Sequence, residues 1–479
     1  MIDSGDIDLS PFVEQGQELA KKAQLEMTEK LVQLEDTKKA LMEKAKPEDI
    51  ESMSSIQQRV FNPVYINAKE LEENSNHHSD NNMAEDKFIA KAEPASVVAL
   101  KTSLPQAKIE KLQQQGKLDA LVEADKLTQK SLRRARQTAP ECTVLSESLS
   151  DEGQQQIRRW VLEMLEAGKP LAGRDLAGAN LSHIDFSGQD LRDVMFERCD
   201  LSSCSFVDCQ LEGAVLTEAI INGCSFSGAS LANANISKVE CCEIDFRQAD
   251  LSEANMASSH FIDCDFRSAT LNKVKAIETE LTGSLFNDAQ CTQGQFIQAC
   301  LRKTNWHSAQ LCECTFLQGK LEDSSWQGAK LYRCLMIETQ ARNVDFSNVD
   351  MEMVQFSNQG DFQEALFAKG RWKTCGFRGV DLQSIDAVNA VFIECDFGEA
   401  DLNGADFRHA MFYGCIMMQA NFKQNDCRET LFNETMLRKS TFDHVDCRDA
   451  KIHNCDLTEV EFIHCKDRGM TQSPVASIG

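Results

Sequence analysis

LAGANLSHIDFSGQDLRDVMFERCDLSSCSFVDCQLEGAV, residues 176–215, has a large apolar residue at every fifth position. Stepping by five from Leu176 gives Leu181, Phe186, Leu191, Phe196, Leu201, Phe206 and Leu211, and the series runs to Phe356 through 37 positions without one polar residue. After a slip of one residue it resumes at Phe362, Phe367, Trp372, Phe377 and Leu382 and continues to Phe462, another 21 positions, all apolar. The residue two before each centre is nearly always small, as at Ala179, Cys199, Cys204, Ala214 and Ala405, and Asp or Asn often stands between the two. Of 26 phenylalanines 23 occupy centres, as do three of the four tryptophans, so the period marks an interior column.

This A-(D/N)-(L/F)-x-x pattern, over nearly two-thirds of the chain, resembles the pentapeptide-repeat proteins. The resemblance implies a mainly β chain: a right-handed quadrilateral parallel β-helix with four pentads per coil, here preceded by an α-helical N-terminal region. Packing agrees with that geometry, since a narrow bore filled to interior density takes one large and one small inward residue per side. The other three positions of each pentad face outward. Coils one strand spacing apart, about 4.8 Å, stack into about fourteen turns, a rod roughly 70 Å long.

A twenty-residue period tests the four sides separately. Phe186, Phe206, Phe226, Phe246, Phe266, Phe286, Trp306, Trp326 and Phe346 are aromatic at every twentieth residue, while the column from Leu191 through Leu211, Leu231, Leu251 and Leu271 is mostly leucine. Chemically distinct faces pin the register. Twelve of the twenty cysteines fall at the small inward position and four more (Cys241, Cys291, Cys427, Cys447) at centres. They read as small buried packing residues in a reducing compartment, not as disulfides or cluster ligands.

Two irregularities stand out. The slip at Ser357-Asn358-Gln359-Gly360-Asp361 is either a tolerated bulge or a kink or loop that shapes a partner site. Secondly, Ile277, Ile297, Leu317 and Ile337 each follow a centre, lie twenty apart and stack on one outer face, where the same column elsewhere reads Glu197, Thr217, Ser237 and Ser357. They form either an apolar protein-contact stripe or β-branched packing that stiffens the wall. Outward aromatics are confined to Tyr332 and Tyr413.

The domain expectations follow. Residues 1–150 form a helical, partly disordered arm, with one amphipathic pattern from Phe12 to Ala45 and a second from about Ala107 to Gln137, the latter ending in Arg133, Arg134 and Arg136. Residues 151–168 form a capping helix with Ile157, Trp160, Val161, Met164 and Leu165 on one face, and Gly168 ends it. Then come solenoid block 1 (169–356), the register slip (357–361), block 2 (362–466) and a tail (467–479). The C-terminal solenoid end has no capping helix and is a candidate homodimer surface.

Residues 151–479 carry 49 acids and 30 bases, 19 of the 25 net negative charges, which argues against direct nucleic-acid binding. The acidic MIDSGDIDLS start is not a secretory signal, no apolar run is long enough to span a membrane, and the expected compartment is the cytoplasm. Nucleophile elbow, phosphate loop, dinucleotide fingerprint and HExxH are all lacking. No catalytic residue, cofactor or metal is expected, and His444 and His464, on one column near Cys465, read as a surface ladder pair.

A non-enzymatic protein-binding scaffold or adaptor is the first functional expectation. Residues 160–191, WVLEMLEAGKPLAGRDLAGANLSHIDFSGQDL, resemble the helix-to-solenoid junction of pentapeptide proteins associated with bacterial type VI secretion, which implies an effector or spike component as partner. The second is an acidic DNA-mimic rod, since quinolone-resistance pentapeptide proteins share the fold and engage DNA gyrase or, by extension, another DNA-binding protein.

Overall fold

The computed structural model describes residues 131, 133–139, 142, 151–356 and 360–473. Of the arm expected over residues 1–150 only residues 131, 133–139 and 142 are described; the rest of it and the tail residues 474–479 lie outside the described residues.

Each pentad makes one side of a coil. Its centre points inward, as Leu181, Phe186, Leu191 and Phe196 do with no exposed surface. The chain then turns: Ser203 takes a φ of 59° and the Cys204 amide donates to the Leu201 carbonyl at 3.0 Å, an i to i+3 bond around a left-handed third residue. The left-handed value recurs at the same pentad position from His183 to His464, and of the non-glycine residues that adopt it only Thr374 is β-branched. Branching at Cβ is what that conformation tolerates least. Where Asp or Asn stands before a centre, it serves the same turn. Asp200 Oδ1 accepts the Ser202 amide at 3.0 Å and Asp245 Oδ1 the Arg247 amide at 3.0 Å, so a short carboxylate satisfies the turn two residues on.

Successive coils pair in parallel twenty residues apart, as Asn180 with Asp200 and Asp190 with Gln210. Four faces result. The first carries the centres Leu176, Phe196 and Leu216; the second Leu181, Leu201 and Ile221; the third Phe186, Phe206 and Phe226; the fourth Leu191, Leu211 and Leu231. On the third face the rings stack, Phe206 on Phe226 at 4.8 Å and 4°, Phe266 on Phe286 at 4.8 Å and 1°. Cysteine does more here than fill space. Cys199 Sγ donates to the Leu176 carbonyl at 2.9 Å and Cys224 Sγ to Leu201 at 3.0 Å, the bond that Ser259 and Thr279 make at the same pentad position. Burial pushes the Cys204 thiol up to about 11 and the Cys224 thiol up to about 12.

The slip leaves every ladder intact. Gln340 pairs with Asp361, Asp345 with Leu366, Asp350 with Arg371 and Gln355 with Gly376, each a step of 21. The column of Phe346 therefore continues into Phe367 and that of Met351 into Trp372, Phe392, Phe412 and Phe432. Trp372 differs from the two tryptophans before it. Trp306 and Trp326 donate their indole N–H to Thr304 Oγ1 (3.1 Å) and Ser324 Oγ (2.9 Å), two residues back. The matching residue for Trp372 is Gly370, and its buried indole N–H meets no acceptor among the described residues.

Asp151–Glu166 is a helix. Val161 and Met164 are buried, and Ile157, Trp160 and Leu165 pack against the core that begins at Leu171. Gly168 (φ 61°) closes it, with the Lys169 amide on the Met164 carbonyl (2.9 Å) and the Gly168 amide on Leu165 (3.0 Å). At the other end Leu457, Val460 and Met470 are only partly buried, and Phe462 and Ile463 are exposed.

Candidate functional site: one outer face of the coil

Among the described residues, the first face is covered over its early coils and open over its later ones. The cover is helical, described at residue 131 and residues 133–138 and called α1 here. Arg133 Nη2 donates to the Gly173 carbonyl at 2.8 Å. Gln137 Nε2 donates to Asp193 Oδ1 (2.8 Å) and to the Gly213 carbonyl (2.9 Å). Gly213 is left-handed (φ 67°), and a Cβ there would stand 3.0 Å from Gln137 Nε2, so glycine lets α1 approach. Asn235 Nδ2 reaches the Arg136 carbonyl (3.0 Å) and the Ala139 carbonyl (2.6 Å), satisfying the end of α1 that the helix itself cannot. The Cys142 amide donates to Glu218 Oε1 at 3.1 Å.

Arg136 is the anchor. Its Nη1 lies 2.6 Å from Asp175 Oδ2 and its Nε 2.7 Å from Glu197 Oε1, while Nη2 donates to both carboxylates, joining two successive coils. The Arg136 side chain is 10% exposed and that of Glu197 2%. Burial opposes the guanidinium charge, but the hydrogen bonds to Glu197 and Asp175 keep it protonated above its ordinary range. Burial pushes the Glu197 carboxyl up, against the pull of Arg136. Such a pair fixes register more than it adds stability.

Glu197, Thr217 and Ser237 read from sequence as an exposed polar column; in the structure they are buried, with Met195, Val215 and Asn235 beside them. Their polar atoms are met by Arg136, by Asn235 Oδ1 (2.7 Å from Ser237 Oγ) and by one another.

Further along, the same column is Ile277, Ile297, Leu317 and Ile337, all half-buried. Ile297 pairs with Leu317 and Leu317 with Ile337 in a four-stranded parallel sheet of Gln295–Ile297, Thr315–Leu317, Leu335–Ile337 and Gln355–Phe356. The Ile297 carbonyl accepts the Glu278 amide at 2.8 Å, placing Ile277 one coil earlier on the same face. Leu335, 36% exposed, widens the stripe. One flank is an amide ladder, Gln298 to Gln318 (2.9 Å) and Gln318 to Glu338 (2.8 Å). Past the slip the column turns polar at Arg378, which binds Glu399 at 2.6 Å. Of the slip residues, Ser357, Asn358 and Gln359 lie outside the described set, while Gly360 and Asp361 are already in the ladder, the Asp361 amide on the Thr339 carbonyl at 3.0 Å.

Sequence reasoning found the stripe and the Arg133–Arg136 basic cluster but not that both belong to one face. Arg136 and Glu197 are 61 residues apart, and no periodicity links them.

Part of the surface charge is paired locally. On the third face Arg247, Arg267, Arg408, Arg428 and Arg448 each hold the Asp two residues before, at 2.6–2.8 Å. The arginine hydrogen bonds keep the Asp245 and Asp446 carboxyls below their usual range.

Among the described residues no helix is long and apolar enough to cross a membrane. No curated protein matches the chain. Similar solved structures include HetL, a pentapeptide repeat protein involved in heterocyst differentiation regulation from the cyanobacterium Nostoc sp. strain PCC 7120. It is 20% identical over 54% of this chain and 95% of that one, with a TM-score of 0.24. QnrB1, a plasmid-mediated fluoroquinolone resistance protein, is 17% identical over 50% of this chain and 89% of that one, with a TM-score of 0.19. Rfr23, from the cyanobacterium Cyanothece 51142, is 19% identical over 24% and 67%, with a TM-score of 0.13. The family model for pentapeptide repeats matches residues 175–207, 209–248, 249–288, 264–302 and 388–424. Residues 175–302 and 388–424 are thus built of pentapeptide repeats, and the five-residue sides, twenty-residue coils and left-handed turn in each pentad run on through the coils between them.

Proposed function

We propose that the protein is a non-enzymatic binding rod whose first face receives helical segments, and that the Ile277–Ile337 stripe holds a partner's amphipathic helix. One observation carries this reading: the face already binds a helix in cis over its early coils, and where that cover ends the outward column changes from polar to aliphatic. The preferred occupant has an apolar ridge for the stripe and amide or basic side chains for the Gln298–Gln318–Glu338 flank. The junction's likeness to type VI accessory proteins makes a secreted effector or spike component the first partner to test. Twenty free thiols suit the reducing cytoplasm. The exposed end around Phe462 and Ile463 is where a second copy would stack.

The test is partner capture with the full chain against Ile297→Lys/Leu317→Lys. A charged pair in the middle of the stripe should reduce capture at least about tenfold, in line with loss of a buried apolar anchor; unchanged capture refutes the stripe. The competing DNA-mimic reading rests on net charge, and the arginine pairing on the third face weakens it. Inhibition or protection of gyrase supercoiling by the purified protein would favour it instead.

A further inference from the structure

Near the open end of the rod, the second face places two histidines in register. His444 and His464 occupy the left-handed turn position of successive coils (φ 58° and 50°), and the His444 amide donates to the Ile463 carbonyl at 2.8 Å. Their rings lie 4.8 Å apart. Asp443 projects beside them, its Oδ1 2.6 Å from His444 Nδ1 and 3.8 Å from His464 Nδ1. The ligand atoms of the three residues all lie within 4.8 Å of one another.

We propose that Asp443, His444 and His464 form a binding site for a divalent transition-metal ion such as Zn2+, clamping the coil of His444 to the coil of His464. Two imidazoles and a carboxylate suit zinc, nickel or copper. A tetrahedral zinc with bonds of about 2.0–2.2 Å needs its ligand atoms roughly 3.3 Å apart. The observed 2.6 and 3.8 Å bracket that spacing, so small ring rotations complete the set without moving the ladder. Lys423 Nζ approaches the other carboxylate oxygen, Asp443 Oδ2, at 4.0 Å and leaves Oδ1 to the metal. Cys465 is not a ligand, because its Sγ turns inward to the Phe442 carbonyl at 3.2 Å. Three protein ligands leave a coordination position for water.

From sequence, His444 and His464 share a column and read as a surface ladder pair with no metal expected; the pattern alone does not bring the Asp443 carboxylate to them. In a solenoid the neighbouring ligand is one coil away, so the motif is Asp-His, nineteen residues, His.

The experiment is calorimetric titration of the chelator-treated, thiol-alkylated full chain with Zn2+. One ion per chain with micromolar affinity is expected. His444→Asn and His464→Asn keep a residue that accepts the left-handed turn, and each should weaken binding at least about tenfold. His183→Asn, at an exposed turn elsewhere, should change nothing. Peptide-resolved hydrogen exchange should show zinc protecting residues 441–473, and losing that protection in either variant. No heat of binding at 100-fold excess metal (an order-of-magnitude ceiling set by the free concentration that linkage requires), or binding indifferent to both substitutions, would overturn the assignment.

Discussion

Replacing Arg136 by alanine should release α1 from the first face. The guanidinium bridges Asp175 to Glu197, and Glu197 lies beneath it with a side chain 2% exposed. Removing one partner of a buried pair costs about 3–5 kcal/mol, because the other charge stays desolvated. Here α1 can lift and admit water to Glu197, so the penalty acts on a local opening and not on the rod. About 3 kcal/mol, at roughly 1.4 kcal/mol per factor of ten, raises the open population on the order of 100-fold. A pH dependence follows. Burial holds the docked Glu197 carboxyl above its ordinary value, and Arg136 opposes that rise. Without Arg136 the docked value climbs further. An acid whose docked value is raised docks best while protonated, so the variant's docking is firmest at low pH and is lost as pH rises through the docked value. Hydrogen exchange of residues 133–142, normalised to intrinsic rates, reports the opening. Arg136→Ala should accelerate it on the order of 100-fold at pH 8 and less at pH 5, and a second substitution, Glu197→Gln, should return much of the protection. Acceleration under about threefold, or a rate indifferent to pH, would refute the account of Arg136 as anchor.

Two further outcomes are expected. Trp326→Phe and Trp372→Phe remove the same atoms, but the first deletes a hydrogen bond to Ser324 while the second removes an indole N–H without an acceptor; Trp326→Phe should be the more destabilising by about 1–3 kcal/mol in denaturant titrations, and equal losses would contradict the pairing. Thiol labelling of the native chain, read peptide by peptide, should be fast at exposed Cys242, slower at half-buried Cys142, Cys300, Cys312 and Cys465, and negligible at the fifteen buried cysteines until the rod unfolds; early labelling of Cys395 or Cys415 would mean that the coils open locally.

The coil was legible because it is local. A centre every five residues, a small residue before it and an Asp or Asn between them are all set within one pentad, and neighbouring pentads differ little in environment. The mixed role of the small position was less visible. Cys204 and Thr430 differ in hydropathy, yet both donate to a carbonyl 23 residues back. The stripe could be found because it repeats at twenty. The covered part of the same face could not, since Glu197, Thr217 and Ser237 look like any solvent-facing column until Arg136 and Asn235 are placed against them. Contacts made once, between segments of unrelated period, leave no trace in a periodic pattern. The His444–His464 column was legible at the period of one coil, but not the Asp443 carboxylate that lies against both rings.

The change of pairing step from 20 to 21 across Phe356–Gly360 has a practical meaning. All four ladders resume after it without a lost pairing, so the corner where the chain passes from Phe356 on the first face to Phe362 on the second accommodates one more residue than the others do. Corners of this kind are natural splice points. A peptide tag, a reporter or a whole domain inserted there should divide the gene but leave the ladders on either side in place.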